Sequence, residues 1–370
     1  MLSSDPEGIR RSVEVEYWVV DGEGRLVEPG PLVEASPGAE REFVEPLLEV
    51  KTTPCESAAA LRTELFDRLG AVLDRADDLG LGLVPLATPL SHDEIRERPS
   101  DRTRIQNRVV GEDFEYVRHC AGTHVHVEQQ PGLEIDQLNA LIALDPALAL
   151  LNSSSYFRGL PLAAGARSKL YRWMAYDDVP HQGWLWSYVD DADQWDRRLE
   201  RRYEEFVTAA TDAGIARQAV EANFDPESAV WTPVQFREQF STVEWRSPDN
   251  ALPSQIVRLA NRMAELVGRL DEIDVRIEGE TGDLREDTLV LPEFGAVLEY
   301  VNAAVRDGLE SPEVQSYLDR MGFDVDAYEP LSHEFDDRGE IGTEAARRLR
   351  LEYAERLRRD LREATPVSGD

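Results

Sequence analysis

Residues 13–19 read Val-Glu-Val-Glu-Tyr-Trp-Val, and this alternation predicts a β-strand with two unlike faces. Successive side chains of a strand point to opposite faces, so the residues at positions 13, 15, 17 and 19 share an apolar face. Glu14 and Glu16 share the other face with Trp18. One face is therefore expected to pack against a core, while the other presents carboxylates.

Three later stretches carry metal-ligand side chains at the same two-residue spacing. They contain Glu49 in a predicted strand from Leu47 to Thr53, then His124, His126 and Glu128 after Gly122, then Glu244 with Arg246. If the four strands turn these faces into one concavity, the carboxylates must be solvated or neutralised by cations. The pattern therefore predicts either an acidic surface or a cation site.

The composition excludes two classes of partner. Asp and Glu number 73 against 40 Lys and Arg, which gives a net charge of −33. Nucleic acid and anionic membranes bind through basic residues, so we expect neither as a partner. Only Lys51 and Lys169 are lysines, and this avoidance together with the acid excess is typical of proteins adapted to molar salt, where charge repulsion is screened.

The chain is expected to stay in the cytoplasm. The segment Met1 to Arg10 has no apolar run, and no stretch approaches the roughly 18 apolar residues of a membrane span. Cys55 and Cys120 form no CxxC pair and are expected to be free thiols in a reducing compartment. With 42% hydrophobic residues, the 370-residue chain can build a single catalytic domain over 1–370, and the pattern predicts no particular oligomeric state.

Helices are predicted behind the strands and throughout the C-terminal part. The clearest runs from a Ser57 cap to a Gly80 stop, and Leu83 to Ala87 is expected to follow it as a strand. The span Ser153 to Gly183 is rich in Arg, Gly and aromatic residues and is expected to be an irregular functional loop. The other predicted helices are Ile135 to Leu151, Gln194 to Ala213, Ser254 to Leu270, Glu293 to Asp307, Pro312 to Met321 and Thr343 to Leu361, with a frayed tail from Ala364.

Common nucleotide-binding and hydrolase motifs are missing. Gly80-Leu81-Gly82 starts a dinucleotide fingerprint, but Pro85 stands where the third glycine belongs. Neither lysine follows a glycine, so no phosphate-binding GxxxxGK[ST] loop exists, and there is no HExxH or GxSxG motif. Any ATP must be held in another way.

A set made mainly of Glu with one or two His favours Mg²⁺ or Mn²⁺ over zinc, which prefers His and Cys. Arg246, on the same face as Glu244, is placed to contact a phosphoryl group. Other interpretations remain open: His124-Val-His126 also suits a zinc hydrolase, and Glu244 with Arg246 also suits a cross-strand ion pair.

The quoted stretches, taken together, resemble signature strands of the glutamate–cysteine ligase superfamily, in particular its shorter branch of carboxylate–amine ligases. The resemblance covers roughly residues 10–270, followed by a helical part at 292–363, and includes a similar substrate loop with Arg167-Ser168 and Pro180 to Gly183. The matching strands are residues 13–17 (Val-Glu-Val-Glu-Tyr), 42–52 (Glu-Phe-Val-Glu-Pro-Leu-Leu-Glu-Val-Lys-Thr), 122–127 (Gly-Thr-His-Val-His-Val) and 242–249 (Thr-Val-Glu-Trp-Arg-Ser-Pro-Asp).

The resemblance implies an α+β fold, with a glutamine-synthetase-like antiparallel sheet that forms a funnel backed by helices. It also implies use of ATP with Mg²⁺ or Mn²⁺ to phosphorylate the γ-carboxyl of glutamate, after which the amine of cysteine displaces phosphate. Matched residue by residue, the metal ligands would be Glu14, Glu16, Glu49, His124 and Glu244; Glu42 would lie near the metals and the substrate amine; Arg246 would stabilise the transferring phosphoryl group; Arg167 would hold glutamate or the acyl phosphate; and His126 would lie outside the ligand set.

Two departures from the family pattern concern the amine acceptor. The strand that usually precedes the Glu-x-Arg strand is matched only by Glu221 to Phe224, about twenty residues upstream, and Ala166 stands where a Tyr often precedes the loop arginine. The alternatives are therefore a carboxylate–amine ligase with another amine acceptor, a metal-dependent hydrolase built on His124 and His126, or a family member that binds nucleotide without turnover.

Overall fold

The computed structural model describes residues 8–176, 179, 181–335 and 338–364, so Pro180 of the predicted loop and most of the predicted frayed tail lie outside the described residues. Within these ranges the main sheet has seven strands, and each strand pair in it is antiparallel. The strands of the main sheet and of two smaller sheets, numbered in chain order, are β1 Arg11–Asp21, β2 Ala39–Arg41, β3 Leu47–Lys51, β4 Leu81–Val84, β5 Thr123–Glu128, β6 Tyr156–Phe157, β7 Leu160–Pro161, β8 Val234–Arg237, β9 Thr242–Trp245, β10 Asp274–Ile277, β11 Asp283–Leu284 and β12 Thr288–Leu291.

Strand β1 is central to this sheet. The order is β2-β3-β1-β5-β9-β8, and β4 pairs with the C-terminal half of β1. The apolar face predicted for residues 13–19 is fully buried at Val13, Val15 and Tyr17, whereas the side chains between them are half-buried. The alternation of the sequence therefore sets which face of the sheet enters the core.

Helices cover the apolar face of the sheet. Helix α9 contacts β1 and β5, α4 contacts β8 and β9, and α1 contacts β3 and β4. The helices are α1 Ala58–Leu79, α2 Asp101–Val110, α3 Phe114–Arg118, α4 Glu134–Ala143, α5 Ala166–Trp173, α6 Ala192–Asp212, α7 Arg217–Glu221, α8 Pro226–Ala229, α9 Pro253–Gly268, α10 Phe294–Asp307, α11 Pro312–Arg320 and α12 Thr343–Ala364. In the described part of the chain, none of them combines the length and apolar character needed to cross a membrane.

The caps predicted for α1 are confirmed. The Ser57 side chain accepts a hydrogen bond from the amide of Ala60, and Gly80 ends the helix with a φ of +67°. The helices predicted in the C-terminal part are confirmed as α10, α11 and α12. Helix α12 packs beside β4, and its Tyr353 joins a second buried cluster with Trp18 and Phe335. Trp18 lies on the same face of β1 as Glu14 and Glu16, so this cluster covers the C-terminal part of that face.

Three elements differ from the sequence predictions. The helix predicted from Ile135 to Leu151 ends at Ala143 and continues as a 3₁₀ helix over Asp145–Leu151, since Pro146 has no amide hydrogen to donate. The span 153–183 contains the β6–β7 hairpin and helix α5, so it is not wholly irregular. The strand predicted at Leu83 to Ala87 begins at Leu81 and ends at Val84.

A small sheet lies between α9 and α10. In it β12 pairs in parallel with β10 and antiparallel with β11. The sequence pattern did not reveal these strands, since each is only two to four residues long and β10 is mostly exposed. They lie outside the sheet that carries the acids.

Candidate active site

The four predicted strands meet on one face of the main sheet and line a single cavity. Glu14 on β1 is opposite His124 on β5, Glu16 is opposite Glu49 on β3, and His126 is opposite Glu244 on β9. The cavity has a volume of about 480 Å³. Its lining includes Glu14, Glu16, Glu42, Glu49, His124, Glu244 and Arg246 from the predicted site.

His124 and His126 form a cluster with Glu14 and Glu244, which we call the inner cluster, and all of its members except His126 line the cavity. His124 Nδ1 lies 3.4 Å from Glu14 Oε2 and 3.1 Å from Glu244 Oε1. His126 Nε2 lies 3.8 Å from Glu14 Oε1 and 3.7 Å from Glu244 Oε1. Glu244 is 2% exposed, so its carboxylate has almost no contact with water. Such a carboxylate needs positive partners close to it.

Three overlapping groups of side chains have the geometry to hold a divalent cation. In each group the potential ligand atoms lie within 4.8 Å of one another. The donors are carboxylate oxygens and imidazole nitrogens, which fits Mg²⁺ and Mn²⁺. The groups are Glu14, His126 and Glu244; Glu14, Glu49 and His124; and Glu16, Glu42 and Glu49.

The protonation equilibria differ across the cavity. Burial acts to raise the pKa of Glu14, but hydrogen bonding and charge interaction with His124 and His126 outweigh it and hold this pKa below its usual range. Burial likewise opposes ionisation of Glu244, and Arg246 with His124 lowers its pKa overall. On the other side, burial and the neighbouring Glu16 raise the pKa of Glu42 to about 7.

Glu49 is buried beside the carboxylates of Glu16 and Glu42. Burial raises its pKa well above the usual value, and the charges of Glu42 and Glu14 add to this effect. Lys51 opposes it, since its Nζ lies 2.9 Å from Glu49 Oε2 and 3.7 Å from Glu14 Oε1. The ionisation of Glu42 and Glu49 is therefore favoured by a nearby cation such as Lys51. Lys51 was not assigned a role from the sequence.

Arg246 is held over the inner cluster by both an acid and an aromatic ring. Its Nε lies 3.3 Å from Glu244 Oε1, and its guanidinium carbon lies 5.6 Å from the ring centre of Trp231. Trp231 is in turn stacked on Tyr171 at 4.5 Å. The guanidinium is thus fixed at the cavity wall, in a position suited to an incoming anion.

Arg167 is almost fully buried and is not among the residues that line the acidic cavity. It is 1% exposed, and its Nη1 donates hydrogen bonds to the carbonyls of Arg246, Ser247 and Pro248. Its guanidinium passes beside Gly122, where an added Cβ would lie 2.2 Å from Nη2. The predicted contact of Arg167 with glutamate or the acyl phosphate stays a prediction; in this structure the guanidinium is occupied by backbone carbonyls.

The strand that precedes the Glu-x-Arg strand is β8, and the prediction that matched it to residues 221–224 is wrong. Residues 221–224 are the end of helix α7 and the turn after it, whereas β8 at Val234–Arg237 pairs directly with β9. Gln235 Nε2 donates to Glu244 Oε2 at 3.1 Å, and Arg237 Nε lies 3.7 Å from the same oxygen. Apolar and polar residues do alternate in Val-Gln-Phe-Arg at residues 234–237. Four residues directly after Pro233 are too few for this alternation to predict a strand.

Two other predicted features lie outside the cavity. Glu128, at the end of β5, pairs with Arg10 at the surface. The start of the predicted substrate loop is buried, and there Ser153 Oγ accepts a hydrogen bond from the amide of Ala87. A larger cavity of about 670 Å³, lined by residues that include Trp184 and Arg198, shares no lining residue with the acidic one.

Solved structures show the class of fold. The described chain is similar to the crystal structure of a bifunctional glutathione synthetase from Pasteurella multocida, with a TM-score of 0.57 and 14% sequence identity. The match covers 95% of this chain and 53% of that one, so this chain spans about half the length of that protein. The fold is that of the glutamine-synthetase-like ligases, and the predicted α+β class is confirmed.

Sequence comparison then shows the family. Residues 5–363 match the model of glutamate-cysteine ligase family 2 (GCS2), and the chain belongs to this family. A relative from Frankia alni, named "Putative glutamate--cysteine ligase 2-1", is 25% identical over 311 residues, which are 80% of this chain and 73% of that protein. One from Corynebacterium glutamicum, named "Putative glutamate--cysteine ligase 2", is 29% identical over 169 residues, 42% of this chain and 43% of that protein. Family and fold together support a ligase.

Proposed function

We propose that this protein is an ATP-dependent ligase that joins the γ-carboxyl of glutamate to the amine of cysteine and releases γ-glutamylcysteine. The observation that carries the proposal is the convergence of glutamates from β1, β3 and β9 and of His124 from β5, with Arg246, on one cavity. Family membership supports the ligase chemistry. Glutamate, cysteine and ATP are the proposed small-molecule substrates.

The acidic side chains are proposed to hold Mg²⁺ or Mn²⁺. The ligand set would be Glu14, Glu16, Glu49, His124 and Glu244, all of which belong to groups with suitable spacing or lie beside them. When bound, the cations would neutralise charge on the phosphates of ATP. A cluster of this kind is costly without cations, since several carboxylates share a partly desolvated space.

The reaction would proceed in two steps. A γ-carboxylate oxygen of glutamate attacks the γ-phosphorus of ATP, and the bond from that phosphorus to the bridging oxygen breaks to release ADP. The amine nitrogen of the acceptor then attacks the acyl carbon, the bond to phosphate breaks, and the nitrogen loses its proton to phosphate or water. Arg246, whose Nε lies beside Glu244 Oε1 at the cavity wall, is proposed to donate hydrogen bonds to the transferring phosphoryl group. Glu42, at the cavity wall beside Glu16 and Glu49, is proposed to face the substrate amine.

The acceptor is tested by phosphate release from ATP in molar KCl, with Mg²⁺ and glutamate present and each candidate amine supplied in turn. We expect release to depend on cysteine, with γ-glutamylcysteine detected by mass spectrometry. Release with a different amine would support the alternative, a carboxylate–amine ligase with another acceptor, which Ala166 at the position of the usual Tyr favours. Equal rates with every amine, or no release, would contradict the proposal.

Glu244 is the carboxylate whose loss should matter most. Glu244→Gln removes a buried charge that contacts His124, Arg246 and the proposed cations, so we expect turnover to fall by about 100-fold or more. Glu128→Gln is the matched control, because Glu128 lies on β5 but pairs with Arg10 at the surface. Wild-type turnover in the Glu244 variant would mean that β9 carries no catalytic acid.

A further inference from the structure

His126 is held in one orientation by its surroundings. The residue is 5% exposed and lies in the middle of β5, directly opposite Glu244. Its Nδ1 lies 3.1 Å from Thr242 Oγ1, and its ring packs edge-on against Phe240 with 5.9 Å between ring centres. The ring therefore has little freedom to rotate away from the inner cluster.

The other ring nitrogen faces the acids without a hydrogen bond. His126 Nε2 is fully enclosed and has no hydrogen-bond partner among the described residues. The nearest carboxylate oxygens belong to Glu14 at 3.8 Å and Glu244 at 3.7 Å, beyond hydrogen-bond distance. A buried polar atom without a partner is costly, and a nitrogen lone pair that faces two carboxylates is repelled by them.

The spacing fits a shared cation. Ligand atoms bound to one octahedral ion at about 2.1 Å are about 3.0 Å apart when adjacent and about 4.2 Å apart when opposite. The distances from His126 Nε2 to the two glutamates fall within this interval. A proton donated by Nδ1 to Thr242 would leave the Nε2 lone pair free for coordination, the arrangement usual for metal-bound histidine.

We propose that His126 is a direct ligand of a divalent cation through Nε2, together with Glu14 and Glu244, and that it gives this site a preference for Mn²⁺ over Mg²⁺. Mg²⁺ strongly prefers oxygen ligands, whereas first-row transition ions accept imidazole readily. His126 thus joins the ligand set from which the family resemblance omits it. The inference rests on the cation site of the proposed function and is independent of which amine is ligated.

The test is a titration of the full chain with Mn²⁺ in molar KCl, without nucleotide, glutamate or amine, followed by the electron paramagnetic resonance signal of free Mn²⁺. We expect His126→Asn to raise the Kd for Mn²⁺ about tenfold or more, and to raise the Kd for Mg²⁺, measured by competition, by a smaller factor. His119→Asn is the matched control, since His119 is also buried but belongs to none of the groups with metal-ligand spacing among the described residues, and it should leave both constants unchanged.

A second variant separates coordination from folding. Thr242→Val removes the partner of Nδ1 while keeping the imidazole, and we expect Mn²⁺ affinity to fall by roughly tenfold, as for other partners of metal-bound histidines. Spin-echo modulation from nitrogen should weaken in His126→Asn. An unchanged Mn²⁺ affinity together with an unchanged nitrogen signal in His126→Asn would overturn the proposal. Since no ligase substrate is present, this result is separate from the outcome of the amine assay.

Discussion

Lys51 is one of only two lysines in the chain, yet it lies at the acidic cavity. Its ammonium group is within 4 Å of carboxylate oxygens of Glu14, Glu40 and Glu49. A compact ammonium with three donors can approach three carboxylates at once, whereas the planar guanidinium of Arg is suited to paired contacts. Lys51 therefore stabilises the cluster electrostatically from within the protein.

Replacing Lys51 tests this role. Lys51→Ala removes a positive charge beside Glu14 and Glu49, so we expect divalent cations to bind more tightly, by up to about tenfold, or about 1.4 kcal/mol. The measurement is the same Mn²⁺ titration. Lys169→Ala is the control, because its Nζ donates to the carbonyl of Leu162 and the residue is absent from the cavity lining. Unchanged or weaker binding in the Lys51 variant would contradict this account.

At the residue scale, much of the candidate site could be predicted because strands impose a period of two. Glu14, Glu16, Glu49, His124 and Glu244 all line one cavity. The alternation indicated which side chains share a face within each strand, and the family resemblance implied that these faces meet. Arg167 could not be placed in this way, since its long side chain on α5 reaches behind the sheet to backbone carbonyls. Contacts of that kind depend on tertiary packing and leave no periodic pattern in a sequence.

At the scale of elements, α5 is tied to the end of β9 through Arg167. The guanidinium bridges three successive carbonyls of residues 246–248 and also lies 5.0 Å from the ring centre of Tyr171. It reaches them across Gly122, whose own amide donates to Glu16 Oε2 at 2.7 Å. We infer that this bridge helps to position Arg246 and Glu16.

Gly122→Ala tests this bridge. The new Cβ would lie 2.2 Å from Arg167 Nη2, and the guanidinium cannot move away without losing its carbonyl partners. We expect unfolding free energy to fall by about 1–3 kcal/mol and turnover to fall with it. Gly70→Ala in α1 is the control, because its Cβ meets nothing within 4 Å, and it should stabilise the protein by about 0.5–1 kcal/mol. Equal stability of the two variants in urea unfolding would exclude a role for the bridge.

Element boundaries were predictable where local chemistry decides them. Ser57 and Gly80 bound α1 because a side-chain cap and a left-handed residue act within one turn. The 3₁₀ segment after α4 carries Asp145, whose Oδ1 accepts a hydrogen bond from Trp245 Nε1 at 2.8 Å and whose Oδ2 forms an ion pair with Arg172 Nη2, also at 2.8 Å. That buried network lies behind β9 and depends on residues about 30 and 100 positions away, so the local pattern could not reveal it.

At the scale of the whole molecule, one buried apolar cluster extends from Ile9 to Leu361. It contains residues of the strand region and of the C-terminal helices, which supports our proposal that the chain acts as one catalytic domain. The same molecule carries a net charge of −33. Repulsion of this size opposes a compact state, and salt weakens it because the screening length falls from about 10 Å at 0.1 M to about 3 Å at 1 M.

Stability should therefore rise with salt. We expect the midpoint of thermal unfolding to increase by roughly 5 °C or more between 0.1 M and 2 M KCl, a change that corresponds to a few kcal/mol. Differential scanning calorimetry of the full chain across a KCl series measures it. A midpoint that stays constant or falls over that range would contradict the predicted adaptation to salt.

We propose that the divalent cations that hold ATP are bound jointly by glutamates of β1, β3 and β9 and by histidines of β5. The most direct measurement is anomalous diffraction at the manganese edge from crystals grown with Mn²⁺ and ADP. We expect an anomalous peak between Glu14, Glu244, His124 and His126, and a further peak beside Glu16 and Glu49. The diphosphate should lie next to Arg246. A cavity without such peaks, or Mn²⁺ and ADP bound at another part of the surface, would contradict it.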